Sequence, residues 1–396
     1  MHFLMVVHNV VEKGTYWRAL YLARAVARRG HEVTIIATSR EHRFRSESYF
    51  DIQAGVRILE SPDLFKGPLR SGWDLWDSFF RIMQTCELRF DLVHAFESRP
   101  VVIFPALYWQ RWRKVPLVLD WCDWFGRGGA VEERPNQLLR ALLRPVETFF
   151  EEHFRAWADG TTVINSFLRK RAIELGVDPS CILVLPNGCN VEEIYPLPQS
   201  EARKMLGWPE DIFIVGYIGA IFPGDAELMV QAFEKLHNRE PCARLLVIGY
   251  CNIAIETMVK ASGIVWRTGK INYRDINLYL GACDVCWLPM RNTGANLGRS
   301  PLKLNDYMSA GRPVVITNVG DVAKLVARGN FGLVVNDDPE DLAQAVFYLS
   351  KEPTLRREMG QRARYLAESE FAWDSIAKRL IPFYDEVIRR YHGFGA

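Results

Sequence analysis

Short apolar runs alternate along the chain with stretches whose apolar positions recur every three or four residues, a pattern that predicts buried strands separated by helices. In the first half the runs are Phe3–Val7, Glu32–Ala37, Val56–Leu59, Leu92–Ala95, Leu117–Leu119, Gly160–Val163 and Ile182–Leu185. Tyr16 to Arg28 carries Leu20, Ala23, Val26 and Ala27 on one face and predicts a helix, closed at Gly30 by a left-handed cap. Glu193 to Trp208, with Pro196, Pro198 and then Pro209, follows neither period and predicts a linker. A second series follows: Ile212–Ile218, a helix over Glu227–Leu236, then Arg244–Ile248, Gly263–Trp266, Val285–Leu288, Val314–Thr317 and Leu333–Val335. Trp373 to Tyr391 closes the chain as an amphipathic helix with Ile376, Leu380, Phe383, Val387 and Ile388 on one side. It is either a packed surface helix or one that crosses back to brace the first domain.

Two successive series of strand-helix units predict an α/β chain of two Rossmann-like, doubly wound parallel-sheet domains. The expected boundaries are residues 1–192 with 375–396 returning, and residues 193–374. Ligands of such sheets bind beyond the carboxyl ends of the strands, so a cleft between two such ends is the expected site.

Composition narrows the class. A chain of 396 residues exceeds one ordinary core, and 49% apolar with 24% charged residues is a globular balance. The 49 basic and 47 acidic residues leave a charge of +2, which argues against nucleic acid as partner. No window is long and apolar enough to span a bilayer, and Met1 to Val11 reads as a buried strand rather than a signal peptide. The eight cysteines are scattered; Cys283 and Cys286 lack a second pair and read as buried thiols, which favours a reducing, cytoplasmic setting and no metal.

The candidate chemistry lies at strand ends. The first strand runs into His8-Asn9, and Gly14-Thr15 precedes the first helix, where a glycine lets backbone N–H groups approach a phosphate or sugar. The fingerprint GxGxxG is missing, which disfavours nicotinamide and flavin cofactors. Ser300 to Val315 reads as a helix ending at Gly311, then a buried strand; Pro301 suits the first turn. Lys303 and Asp306, three apart, share one face of it. They fit a diphosphate and a ribose, or equally a surface ion pair. After Leu117–Leu119 come Asp120, Cys122 and Asp123 among Trp121 and Trp124, then the loop Gly126-Arg127-Gly128-Gly129. Acids beside aromatic faces fit a sugar site whose loop closes over a ligand, or else the tryptophans cap a core. Trp and Arg/Lys mix in Tyr108–Lys114 and in Phe65–Arg70 leading to Trp73 and Trp76. These suit peripheral contact with an anionic membrane at its inner face, or ordinary helix packing.

The Ser300–Val315 block resembles the retaining glycosyltransferases of the GT-B fold, specifically the large family four, also called the group 1 family. The likeness extends in order along the chain. Arg29-Gly30-His31-Glu32-Val33-Thr34, Asp91-Leu92-Val93-His94-Ala95 and Pro186-Asn187-Gly188-Cys189-Asn190 with Tyr195-Pro196 are similar to the family's successive landmarks. So are Gly216-Tyr217-Ile218-Gly219, Leu246-Val247-Ile248-Gly249 and Ala282-Cys283-Asp284-Val285.

The resemblance implies transfer of a hexosyl group from a UDP- or GDP-linked sugar to an acceptor hydroxyl, with retention and without a metal or other cofactor. The acceptor is a glycan, a lipid-linked sugar or a small molecule. Asp306 would then hold the donor ribose. The backbone from Asn296 through Gly298, Arg299 and Ser300 to Leu302 would wrap sugar and diphosphate, with Lys303 and Arg299 neutralising charge. Gly14 and Gly219 would lie by the donor, Lys270 near its base, and Asp123, Asp120 and Cys122 by the reacting sugar. Three departures stand out. Gly298 occupies the place of a family Glu, Ala220 and Pro223-Gly224-Asp225 replace a family Arg and Lys-Gly, and Cys122 replaces a family His. They leave two rivals in play: a nucleotide-sugar epimerase on the same scaffold, and a catalytically silent sugar- or lipid-binding protein.

Overall fold

The computed structural model describes residues 1–41, 43–65, 70–134 and 136–393. Lys66 to Leu69 of the basic-aromatic stretch lie outside the described residues, as do 394–396 of the expected first domain. The chain folds into two compact units: Met1–Asn187 with Gly298–Ser300 and Trp373–Ala396, and Gly188–Leu297 with Pro301–Ala372.

The first unit contains strands β1 (His2–Val10), β2 (Glu32–Thr38), β3 (Glu47–Phe50), β4 (Arg57–Ser61), β5 (Leu92–Phe96), β6 (Leu117–Trp121), β7 (Gly160–Val163) and β8 (Ile182–Val184). Its helices are α1 (Tyr16–Ala27), α2 (Leu75–Thr85), α3 (Pro100–Arg111), α4 (Gln137–His153) and α5 (Ser166–Glu174). The sheet order is β3-β4-β2-β1-β5-β6-β7-β8, parallel except for the β3–β4 pair. Sequence periodicity misses β3, Glu-Ser-Tyr-Phe, because this mostly exposed edge strand buries nothing and so carries no apolar run. Phe3, Met5, Val93, Leu117 and Leu119 are fully buried along the central strands, as strands covered on both faces require.

The second unit contains α6 (Gln199–Leu206), β9 (Phe213–Ile218), α7 (Pro223–Arg239), β10 (Ala243–Ile248), β11 (Val265–Gly269), α8 (Ile276–Ala282) and β12 (Val285–Leu288). It continues with α9 (Gly294–Leu297), α10 (Leu302–Ser309), β13 (Val314–Thr317), α11 (Gly320–Gly329), β14 (Gly332–Val335), α12 (Pro339–Lys351) and α13 (Pro353–Ser369). The expected linker is corrected in part. Pro198 stands at the N-cap of α6 and Gly207, at φ 67°, caps its end, so the prolines there start a helix and do not merely break one. The sheet, β11-β10-β9-β12-β13-β14, is parallel throughout. Cys283 and Cys286 are buried thiols packed where a Cβ on Gly216 would fall, 2.6 and 3.3 Å away, so β9 accepts only glycine there.

The closing helix α14 (Trp373–Tyr391) belongs to the first unit and packs on α1. Arg29 meets Asp374 at 2.6 Å, Tyr21 stacks on Trp373 at 5.5 Å, and the Tyr384 hydroxyl meets His94 Nδ1 at 2.6 Å. The crossing-back arrangement is therefore the correct alternative, and it gives the apolar face of α14 a core to fill. Both units are Rossmann-like α/β, the fold class read from the sequence.

Candidate functional site

In the second unit β10 and β11 lie on one side of β9, while β12, β13 and β14 lie on the other. The direction of winding therefore reverses between β9 and β12, the position where open α/β sheets take ligands at their carboxyl ends. Gly219 and Gly249 turn the chain sharply there, at φ 75° and 76°. The helix α10 is fixed over this point from behind. Leu304, Tyr307 and Met308 are buried, and Tyr307 Oη accepts a hydrogen bond from Ile218 N at 3.1 Å. Pro301 is the N-cap rather than a first-turn residue and supplies no side-chain cap to the first amides.

Lys303 and Asp306 occupy the other face, both half-buried. Lys303 Nζ donates to Tyr217 Oη at 2.5 Å and to Ala220 O at 2.8 Å, which carries the ammonium across the end of β9. Asp306 Oδ1 accepts from Tyr273 Oη at 3.2 Å. Burial raises its carboxyl to about 7, against the Tyr273 bond and the Lys303 charge. Lys303 and Asp306 are not paired in a simple surface bridge; each reaches a different wall of the switch point.

Other expected donor residues fare differently. Lys270 is exposed at the end of β11, the edge strand of this sheet. The Asn296 side chain is buried and donates to Asp225 Oδ1 at 2.9 Å and Arg291 O at 2.8 Å, so it braces the start of α7. That contact also turns Asp225 inward: its carboxylate accepts from Arg291 N at 2.7 Å, so the acid standing in the Pro223-Gly224-Asp225 segment is consumed within the fold. Leu302 is the first residue of α10 and half-buried. Gly298, Arg299 and Ser300 group with the first unit, where Arg299 O accepts from Asn165 Nδ2 at 3.3 Å and Ser300 O from Asn187 Nδ2 at 2.9 Å.

In the first unit Gly14 sits at φ 53° in a turn closed by Asn9, whose Oδ1 accepts from Thr15 N at 2.8 Å. A Cβ on Gly14 would come within 2.8 Å of Asn9 Nδ2. The carboxylates after β5 and β6 are mostly structural. Asp120 is fully buried and takes both prongs of Arg18 at 2.9 Å, plus the Thr162 hydroxyl at 2.5 Å. Burial alone would push its carboxyl up, but the Arg18 guanidinium holds it below the usual range. Asp120 is thus corrected from a ligand-facing acid to half of a buried ion pair. Cys122 is corrected too: its Sγ donates to Glu97 Oε1 at 2.9 Å, and burial beside that carboxyl keeps the thiol protonated.

Trp121 and Trp124 are buried, against Arg155 at 4.4 Å and Arg171 at 4.2 Å, so the core-capping alternative holds for both. The glycine loop follows from Trp124: a Cβ at Gly128 would lie 2.7 Å from its ring, and one at Gly129 would lie 2.2 Å from its carbonyl oxygen. These glycines let the loop pack closely on a tryptophan. Asp123 alone stays half-buried beside this shell, with its carboxyl raised to about 6 by burial against the charge of Arg299.

Sequence reasoning missed the groups beneath Asp123. Glu97, at φ 67°, accepts from Cys122 N at 2.9 Å, Asp123 N at 3.2 Å and Arg155 at 3.4 Å. Glu151 accepts from Trp121 Nε1 at 2.9 Å, Phe125 N at 2.8 Å and Gly126 N at 2.5 Å. Burial raises both carboxyls to about 7, with Arg155 opposing. Glu97 directly follows β5, and an acid at a strand's carboxyl end was a readable signal. Nearby His8 is buried and neutral, pushed down by burial and then by Arg99 and Arg81. Among the described residues no three His, Cys, Asp or Glu side chains gather as a metal site.

With this geometry in place, comparison with known proteins defines the class. A profile described as Glycosyltransferase Family 4 matches residues 14–193, and one described as Glycosyl transferases group 1 matches residues 212–352. The chain belongs to this family of glycosyltransferases, and its fold class is GT-B. Among curated relatives, a D-inositol 3-phosphate glycosyltransferase of Stackebrandtia nassauensis is 28% identical over 66% of this chain and 60% of its own length. A GDP-mannose-dependent monoacylated alpha-(1-6)-phosphatidylinositol monomannoside mannosyltransferase of Corynebacterium glutamicum is 24% identical over 50% of this chain and 54% of its own. The chain thus spans little more than half the length of these relatives. Among solved structures, a sucrose-phosphate synthase from Thermosynechococcus elongatus shares 16% identity at a TM-score of 0.77, covering 98% of this chain and 99% of that one. The Anabaena protein HepE, solved with UDP and glucose, shares 15% identity at a TM-score of 0.71, covering 98% and 100%.

Proposed function

We propose that the chain transfers a glycosyl group from a nucleoside diphosphate sugar to an acceptor hydroxyl, with retention of anomeric configuration. One observation carries the reading. Lys303 and Asp306 stand on one face of α10 at the β9/β12 switch point, the ammonium reaching Ala220 O and the carboxylate lying one turn further on. A cation at a strand end faces a diphosphate, and a carboxylate beyond it accepts from ribose hydroxyls. Lys303 takes over the charge that a family Arg and Lys would supply after Gly219. The names of relatives and neighbours print GDP, UDP and ADP; this reading takes a UDP- or GDP-linked donor.

Retention follows from a same-face displacement in which the leaving phosphate helps deprotonate the acceptor. Stabilisation of the leaving diphosphate by Lys303 and by the uncapped amides of α10 requires no metal. Asp123 is the acid assigned to the acceptor side, where it holds a hydroxyl or assists its deprotonation. Its raised carboxyl suits proton exchange near neutral pH. The acceptor is a hydroxyl of a glycan, a lipid-linked sugar or a small molecule.

The test is to incubate the protein with UDP- and GDP-linked hexoses plus acceptor mixtures, with a chelator present, and follow diphosphate release. The anomeric configuration of the product is then read by NMR. Acceptor-dependent release with retention supports the proposal. Binding without turnover, or epimerised sugar without transfer, overturns it.

A further inference from the structure

Two helices of the first unit are built inside out. Along α2 the buried positions are Asp77, Ser78, Arg81 and Thr85. Its exposed positions are Leu75, Trp76, Phe79 and Met83, at 64%, 45%, 53% and 55%. Along α4 the buried positions are Glu147 and Glu151, whereas Leu138, Leu142, Val146 and Phe149 are 84%, 69%, 41% and 49% exposed. An ordinary surface helix does the reverse, burying its apolar stripe and solvating its acids.

The orientation is locked by the polar side. Asp77 pairs with Arg81 at 2.7 Å, and Arg81 donates to Val7 O at 2.6 Å. Glu147 pairs with Arg134 at 2.6 Å, and Glu151 holds the loop after β6. Rotating either helix to hide its apolar face would strip partners from buried charges, a cost of several kcal/mol by general experience with such pairs. The two helices also share a neighbourhood. Trp73, just before α2, and Phe104 of α3 both pack on Phe150 of α4, at 5.4 and 6.1 Å between ring centroids.

Single exposed apolar residues need no explanation, but two helical stripes on one unit do. The charges around them identify the occupant. Among the described residues the carboxylates of α2 and α4 are buried or, at the half-buried Glu152, paired with Arg171; Glu132, before α4, pairs with Arg144 at 2.9 Å, and Glu87 is exposed beyond the end of α2. Exposed cations are present: Arg111, Arg113 and Lys114 around Trp112, itself 80% exposed, and on α4 Arg144, whose charge Glu132 shares. A self-complementary contact with a second copy would face this basic surface with itself and offer few acids in return. An anionic leaflet satisfies both halves, taking the apolar side chains at the acyl boundary and the guanidinium groups at its phosphates.

We propose that the exposed faces of α2 and α4 dock the protein on an anionic membrane surface. The chain lies on the leaflet: among the described residues no helix is long and apolar enough to cross it. The inference does not depend on the transfer reading.

The experiment is co-sedimentation of the full chain with vesicles of equal parts phosphatidylcholine and phosphatidylglycerol, and with phosphatidylcholine alone. The wild type pellets with the anionic vesicles, less with the neutral ones, and less at raised ionic strength. Trp76→Ser/Phe79→Ser combined with Leu138→Ser/Leu142→Ser lowers that partitioning about tenfold or more while the melting temperature holds, because all of these side chains are already exposed. A wild type that stays in the supernatant with both vesicles overturns the proposal, as does undiminished binding by the folded variant. Light scattering that shows a dimer abolished by the same substitutions also overturns it and assigns the face to a second copy.

Discussion

In the first unit Asp120, Glu97 and Glu151 stand at or beneath strand ends, and nearly every oxygen they own is taken by protein. Arg18 and Thr162 occupy Asp120, and backbone amides of residues 122 to 126 occupy the two glutamates. In the second unit Lys303 and Asp306 also stand beyond strands, but half-buried, with contacts that include the Tyr217 and Tyr273 hydroxyls and the Ala220 carbonyl. The acids of the first unit shape a loop and leave only Asp123 at its rim. On the proposed reading, Lys303 and Asp306 of the second unit serve the donor instead. A carboxylate beside a strand end is thus evidence of a site only once its partners are counted, since a buried charge must spend itself on the fold before it can serve anything else.

The sharpest way to break this contrast is Arg18→Leu. It leaves the Asp120 carboxylate buried with the Thr162 hydroxyl as its main remaining partner, and stability in denaturant titrations drops by about 3–5 kcal/mol. A loss under about 1 kcal/mol would mean that Asp120 is not committed to the fold, since surface pairs are worth that little. Next in size, Asp123→Asn leaves the melting temperature and donor affinity unchanged but lowers turnover about a hundredfold, the usual range for a positioned acid or base. A variant that melts early and turns over normally would move Asp123 into the structural set.

Glu97→Ala strands the amides of Cys122 and Asp123 and costs about 1–3 kcal/mol. Glu97→Gln keeps an acceptor for them and costs less. Its pH signature is distinct. Glu97 is raised from 4.5 to about 7 in the folded chain, so the folded state holds a proton that the unfolded state releases. Its contribution therefore lowers stability as pH rises from about 4.5 towards 7, and Glu97→Gln flattens that slope in melts across the range. The mildest effect is on donor affinity: with Asp306 titrating near 7, nucleotide binding weakens as pH falls below that value, and Asp306→Asn removes the dependence. A pH-independent wild type would take Asp306 off the ribose.

How much of this could be read from the chain depended on range. The strands and the α10 helix declare themselves by local period, and Lys303 and Asp306 are three residues apart on that helix, so their shared face was legible. Arg18 was not, because it meets Asp120 across 102 residues and looks like any polar position of α1. Glu147 and Glu151 were not legible for a different reason. Acids on one stripe of an amphipathic helix read as the solvent side, and α4 reverses that rule. The tryptophans beside Asp123 looked like a sugar platform because aromatic rings in a core and in a site have the same composition. Their burial, with Arg155 and Arg171 over the rings and Gly128 and Gly129 packed on Trp124, separates the two.

The central claim is that Lys303 holds the donor diphosphate at the β9/β12 switch point. Calorimetric titration of uridine and guanosine diphosphates, and of the free nucleosides, into wild type and Lys303→Gln measures it directly. Lys303→Gln should lose about tenfold or more in affinity for the diphosphate that binds, as loss of a charge-assisted contact implies, while the free nucleoside is held as before. Equal losses for both ligands, or none for either, would contradict the account.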